Sequence, residues 1–252
     1  MIDFGLFVVG IVVGGMNAIA GGGMLIGFPI LLAVGLPALV ANATAAIITL
    51  PGQISSAYGY RKFLRKVPKS YLWLLVPCAA GAFMGATLLR NTSSKRFAEL
   101  VPALILLAVV LFALQPFIKL QLHRHLHGKV KNLRPLLIIG ISLFPLSIYG
   151  GYFGAGFGFV MLALLSFTKL HDLHQINGMK NLGAVAIAGT SVVTLYTSGL
   201  IDWHHGLVMA VGSLLGGYYG SRAAQKVSSH ALRIVVIVIG IVTTIYLAFR
   251  TY

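Results

Sequence analysis

Shifted against itself by about 135 positions, the chain matches itself without gaps over roughly a hundred residues. Gly15, Ala20, Gly21, Gly23 and Asn42 fall on Gly150, Ala155, Gly156, Gly158 and Asn177. Further on, Val76, Gly81, Gly85, Ser93 and Ser94 fall on Val211, Gly216, Gly220, Ser228 and Ser229. The shared residues are mostly Gly, Ser and Asn, which mark special backbone and polar positions, and apolar stretches match apolar stretches throughout. A chain built this way folds as two copies of one unit. Internal repeats in an apolar chain point to transporter folds with a shared central site.

Composition says what surrounds those copies. With 58% hydrophobic and 9% charged residues, the chain lies far from the soluble average. Residues 100–118 and 234–249 carry no charge, and each approaches the length that crosses a hydrocarbon core of about 30 Å. The reading is an all-α polytopic membrane protein whose surroundings are a lipid bilayer. Residues 4–16 lack the basic flank and small-residue site of a cleaved signal and are expected to be retained structure. The one cysteine, Cys78, excludes an internal disulfide and a multi-cysteine metal site, and reads as a buried inert thiol.

Nineteen Lys and Arg against four Asp and Glu give a formal charge of +15. The basic residues sit in short loops between apolar runs, as the positive-inside rule requires, so no nucleic-acid partner is expected. None of Asp3, Glu99, Asp172 and Asp202 lies in the middle of an apolar run. A cation pathway or carboxylate relay would need intramembrane acids; an anion pathway would not.

Ten hydrophobic elements are expected, five per half, giving 8–10 membrane segments. The first half has 4–16, 22–34, 42–60, 71–89 and 97–118; the second has 136–149, 156–167, 176–200, 206–223 and 232–249. The halves are residues 1–119 and 135–252, joined by a basic cytoplasmic linker at 120–134. The first two elements of each half are short or re-entrant, and Gly-rich breaks separate them: Asn17-Ala18-Ile19-Ala20-Gly21-Gly22-Gly23 and Gly150-Gly151-Tyr152-Phe153-Gly154-Ala155-Gly156. Such paired interruptions are the best sequence pointer to a transporter's binding site. The loop 61–69 holds five positive charges, whereas its equivalent, 196–204, has none and includes Asp202. Opposite charge at equivalent loops predicts inverted repeats, with 61–69, 119–134 and 222–226 cytoplasmic. Arg90, Lys95 and Arg96 break the pattern by falling on the outer side.

Lys180 is the sharpest single residue, about 12 Å into an expected membrane helix, where a charge costs at least about 2.5–3.5 kcal/mol. Asn177, Lys180, Asn181 and Ala184 share one helical face, and the matching first-half face holds Asn42, Ala45, Ala46 and Thr49. A small ligand would fit between them, with the helix starts after the two breaks offering N–H groups to an anion. The bland alternatives are a snorkelling lysine and glycines that serve close helix packing. Gly81, Gly85, Gly212, Gly216 and Gly220 read as packing. Pro51-Gly52-Gln53, without a counterpart in the second copy, is expected to interrupt the third element and kink that helix. Gln53, Ser55 and Ser56 either line the pathway or join helices. The candidate substrate-binding set is Asn17, Gly21, Gly22, Gly23, Asn42, Thr44, Gln53, Gly154, Gly156, Asn177, Lys180 and Asn181. His123, His125 and His127 lie among basic residues without a carboxylate and read as a solvated loop, so no metal is expected. No hydrolase motif is present, and neither enzyme activity nor a cofactor is expected.

These motifs also have a family look. Residues 17–23 followed by Pro29, then Ala41-Asn42-Ala43-Thr44, Pro51-Gly52 and Tyr58-Gly59-Tyr60-Arg61, resemble the sulfite exporter TauE/SafE family of membrane permeases. Residues 150–156 and Asn177-Gly178-Met179-Lys180-Asn181 resemble that family's second-half motifs. The resemblance covers nearly the whole chain. It implies movement of sulfur-containing anions, such as sulfite or sulfonates, across the bacterial cytoplasmic membrane, with export as the direction. The expectation is a multi-pass secondary transporter of small anions working by alternating access. An anion channel, an uptake permease and a non-transporting scaffold subunit are the alternatives. The coupling ion, a proton or another, and homo-oligomerisation stay open.

Overall fold

The computed structural model describes residues 2–19, 21–126, 134–168, 170, 172–225. The tenth expected element at 232–249, linker residues 127–133, Ala20, His127, Lys226, Ser228 and Ser229 lie outside the described residues. Where described, the chain is helical, with no strand: α1 (Ile2–Ile19), α2 (Met24–Ala33), α3 (Ala38–Gly59), the short α4 (Arg61–Leu64), α5 (Leu75–Arg90), α6 (Ser94–Leu126), α7 (Arg134–Tyr152), α8 (Phe157–Leu165), α9 (Leu173–Leu195) and α10 (Trp203–Ala223). Apolar sequence without alternation forces this outcome, because only a helix satisfies its own backbone polar groups within lipid. Ile2–Ile19, Ala38–Gly59 and Lys69–Arg90 are long and apolar enough to cross a membrane by length and composition.

Two local expectations are corrected. The first element of each half is not short: α1 has 18 residues and α7 has 19, about 27–28 Å of helix. Each runs on into its break because the break residues still close helical bonds, and only then does a glycine turn the chain. Gly21 (φ +98°) donates its N–H to Met16 O at 3.0 Å, and Gly154 (φ +76°) donates to Tyr149 O at 3.1 Å. Those are left-handed helix stops that favour glycine. Of the first two elements of each half, only α2 and α8, with 10 and 9 residues, are short, at about 14–15 Å. The second correction is Pro51, which lies inside an unbroken α3. One lost N–H is tolerated there while Gly52 packs against Ser213 of α10.

Helix α2 turns back along α1. Gly23 abuts Val13 and Asn17, and Gly27 meets the Val13 side chain. The remaining directions follow from glycine contacts. Gly10 and Gly14 of α1 lie on the backbone of Met209 and Ser213, and Gly212 and Gly216 on Phe7 and Ile11. Thr44, Gly52 and Gly59 of α3 meet Gly206, Ser213 and Ser221 in order. Helices α1, α3 and α10 are therefore parallel. Gly81 and Gly85 of α5 lie on Phe144 and Ile148 of α7, so these two are parallel as well. Helix α9 starts where α3 ends, since Gly178 meets Leu64 and Tyr60, and it runs opposite to α3. No side chain larger than hydrogen fits most of these contacts, which is the small-residue route to helix association in lipid.

Charge follows the helix directions. Arg61, Lys62, Arg65, Lys66 and Lys69 follow α3, and Arg222 ends the parallel α10, so they share one end. Asp3 and Asp202 sit at the other, where Asp3 Oδ1 meets His204 Nε2 at 3.1 Å. Arg90, Lys95 and Arg96 are also at that end. Burial alone would raise the Asp202 carboxyl. Hydrogen bonds from the His205 N–H and ring, both at 2.9 Å, together with the charges of His205 and His204, hold it below the usual carboxylate range instead.

Candidate functional site

The ends of α1 and α7 are each held by a polar side chain from the other half. Lys180 of α9 donates from Nζ to Asn17 O at 2.7 Å and to Ala18 O at 3.4 Å. Asn42 of α3 donates from Nδ2 to Tyr152 O at 2.7 Å. Tyr152 is 135 positions beyond Asn17, so the carbonyls are repeat equivalents although their donors are not. The last carbonyls of a helix carry partial negative charge and have no partner within it, which makes both contacts favourable. Lys180 is 1% exposed and has no carboxylate partner among the described residues. Its amine turns inward to the break, away from the membrane edge that snorkelling would need.

The breaks themselves touch. A Cβ on Gly21 would stand 2.8 Å from Gly158 Cα, so the backbones are in contact with no space for a ligand between them. At the first break the Gly23 N–H, one of the groups offered to an anion, is taken by Asn17 Oδ1 at 2.8 Å. Gly156 starts α8 in the left-handed region (φ +77°).

The open space is displaced to one side, between the second break and the small faces of α3 and α9. Its volume is about 50 Å³, above the roughly 10–15 Å³ that one water needs. Helix α3 contributes Asn42, Ala45, Ala46, Thr49 and Gln53 to the wall, and α9 contributes Ala184, Ile187, Ala188 and Ser191. The α7 end supplies residues 150–154, whereas the first break supplies only Asn17. Among the described residues no charged side chain lines the cavity. Gln53 Oε1 and Ser191 Oγ, on two buried residues of its wall that are each 4% exposed, have no hydrogen-bond partner among the described residues. Unpaired buried polar groups cost about 1–3 kcal/mol each, so a pair facing one cavity is poised for a polar occupant.

Of the twelve candidate residues, Asn17, Asn42, Gln53 and Gly154 line this cavity. Lys180 stands behind Asn17. Thr44 instead accepts from the Asp202 N–H at 3.0 Å and ties α3 to the start of α10. Asn181 donates to Ser56 Oγ at 2.6 Å and joins α9 to α3, while Ser55 bonds its own helix at Gly52 O. Gly21, Gly22, Gly23, Gly156 and Asn177 lie outside the wall. The face opposite Asn42 and Thr49 is expected from sequence to begin at Asn177; the space begins about two turns deeper, at Ala184. Ser191 was missed, although it continues the Lys180 and Ala184 face and falls 135 positions after Ser56. Cys78 is buried beside Gly183, and no cluster able to hold a metal occurs among the described residues.

Comparison with known proteins agrees with this architecture. The chain is 29% identical over 249 residues to a "Probable membrane transporter protein" of Haemophilus influenzae, covering 95% of this chain and 91% of that one. It is 28% identical to "Probable membrane transporter protein ORF9" of a Sinorhizobium species, covering 96% and 90%. "Probable membrane transporter protein YfcA" of Escherichia coli K12 is 26% identical, covering 98% and 90%. No solved structure matches the chain. The sulfite exporter TauE/SafE family matches residues 6–247, and with nearly the full length matched the chain belongs to that family of membrane transporters.

Proposed function

We propose that the chain is a secondary transporter that carries small anions, sulfur oxyanions or organosulfonates, out across the bacterial cytoplasmic membrane. Its two halves act as inverted repeats around the cavity beside the second break, and alternating access moves the site from one side to the other. The observation that carries this reading is the cavity's wall. It holds the unpartnered Ser191 hydroxyl and the side-chain amide N–H groups of Gln53, Asn17 and Asn42, and among the described residues no carboxylate lines it to repel an anion. Hydrogen-bond donors in a dry site hold an anion without a full counter-charge. A protonated Lys180 adds positive potential from behind Asn17, so it acts on the anion through that residue.

The inverted arrangement is supported by helix direction. Leaving aside the one-turn α4, the first, third and fourth helices of the first half (α1, α3, α5) each run opposite to their counterparts in the second half (α7, α9, α10). The basic end at Arg61–Leu64 would face the cytoplasm. Sulfur chemistry and outward direction rest on family membership.

Purified protein in liposomes should pass sulfite or a small sulfonate down an imposed gradient, and the same anions should raise its melting temperature more than carboxylates do. Absence of any anion flux would turn the reading toward a scaffold subunit, and flux at channel rates would exclude alternating access. In a Cys78→Ser background, Lys66→Cys should resist an impermeant reagent applied to intact cells. Labelling from outside would overturn the inverted arrangement.

A further inference from the structure

Two parallel stripes of side chains run toward the basic end of the molecule on α3 and α10. Ile54 and Tyr58 of α3 and Arg61, which opens α4 just after it, follow at i, i+4 and i+7; on α10, Leu214, Tyr218 and Arg222 follow at i, i+4 and i+8. Each stripe therefore lies on one helical face and reads apolar, aromatic, guanidinium in the same direction. The helices are locked side by side because Gly52, Gly59 and Gly217 leave no room between them.

The stripes meet at their aromatic level. The rings of Tyr58 and Tyr218 stack with centroids 6.3 Å apart and planes 29° from parallel. Arg61 Cζ lies 4.2 Å from the centroid of Tyr58, and Arg222 Cζ lies 4.7 Å from that of Tyr218. Arg61 also donates from Nη1 to Tyr58 O at 3.1 Å. Among the described residues neither guanidinium pairs with a carboxylate. Arginines stacked this way give up little freedom when they bind a planar or tetrahedral oxyanion, and their forked donors suit phosphate. Ile54, Tyr58, Leu214 and Tyr219 are exposed around them, so an amphipathic surface stands open beside the cations.

We propose that this pair of stripes is a binding site for one anionic phospholipid. Its phosphate sits between Arg61 and Arg222, its glycerol region lies against Tyr58 and Tyr218, and its acyl chains run down over Ile54, Leu214 and Val211. The order of chemistry along both helices is that of a lipid from headgroup to tail. A free phosphate would use only the top of the site; the exposed apolar residues below commit it to lipid. The site is independent of the transport cavity, which α3 lines with its opposite face at Asn42, Ala45, Ala46, Thr49 and Gln53.

The test uses full-length protein in nanodiscs and in detergent, with phosphatidylglycerol and phosphatidylcholine of identical chains. Native mass spectrometry should show a retained phosphatidylglycerol and no retained phosphatidylcholine. Removing two cationic contacts, each contributing about fivefold, makes Arg61→Gln/Arg222→Gln bind phosphatidylglycerol about 30-fold more weakly. Lys66→Gln, on the same basic loop but outside both stripes, should leave binding unchanged. The pair Arg61→Lys/Arg222→Lys keeps the charge and loses the planar stack, so it should fall between, and it serves as the readout if the glutamine pair does not fold. Equal loss in Lys66→Gln, or undiminished binding in the glutamine pair, would overturn the proposal in favour of diffuse attraction to the basic loops. Saturation by soluble glycerol phosphate with the same affinity would overturn the lipid assignment.

Discussion

The two glycine breaks are copies in sequence and opposites in environment. At the first, the end of α1 is closed by Lys180, the Gly23 N–H is filled by Asn17, and one residue reaches the cavity. At the second, the end of α7 is held by the neutral amide of Asn42, and residues 150–154 form a wall of that cavity. One break is sealed by a buried amine and the other is left open to a polar space. A shared backbone device thus serves as an anchor in one half and as a cavity wall in the other, with the difference set by the third helix of the opposite half.

Breaking the anchor should have the largest effect. Lys180→Met leaves two helix-end carbonyls without a donor in a dry setting. We expect a loss of about 1–3 kcal/mol in stability and anion flux at background. Lys180→Arg should recover part of both, because a planar fork does not fit a site shaped for an amine. Asn42→Ala at the open break should cost less, about 0.5–1.5 kcal/mol, since the adjoining cavity can supply a water. Equal costs by thermal unfolding would erase the distinction between anchor and site.

Glycine replacements sharpen the comparison by one step. Gly21→Ala places a methyl 2.8 Å from Gly158 Cα in a left-handed backbone, so a backbone must move. Gly154→Ala carries the same left-handed cost, about 1–2 kcal/mol. Its methyl stands 2.8 Å from Gly150 O, a single close contact within its own helix end, where Gly21→Ala presses on both Cα and C of Gly158 in the other half. Melting temperatures should therefore fall further for Gly21→Ala. A smaller effect is expected for Ser191→Ala, which removes one neutral hydrogen bond to a bound anion. Affinity should weaken about 5- to 12-fold with little change in the stability of the empty protein. An affinity that does not move would remove Ser191 from the site.

The smallest effect concerns the acidic end. The Asp202 carboxyl is held below its ordinary range, so its stabilisation is complete above the unfolded carboxylate pKa of about 4. That contribution fades as pH falls through the lower folded value. Asp202→Asn should be less stable than the parent near neutrality and should converge with it in acid. Parallel melting curves at every pH would show that the His205 contacts carry no net stability.

Much of the architecture was legible in the chain. The uncharged run at 100–118 determined a helix, the 135-position repeat located the equivalent breaks, and the face of Asn42, Ala45, Ala46 and Thr49 was identified as one side of an open space. Helical periodicity and the cost of bare backbone in lipid are local rules, so a sequence records them directly. The lengths of α1 and α7 were underestimated because glycine reads as a breaker, while here it continues a helix until a left-handed stop.

What Lys180 touches could not be read from spacing. Its helix face and its depth were set by sequence, but the choice between facing a ligand, the membrane edge or the end of α1 depends on a partner more than 160 positions away. The same holds for the shift of the cavity toward the second break, which follows from Gly21 and Gly158 pressing together and leaving their midpoint filled. Sequence alone determined which residues are polar, small or charged within each helix. Only tertiary packing decided which of them share a space, because contacts between distant helices depend on the backbone approach that small residues permit.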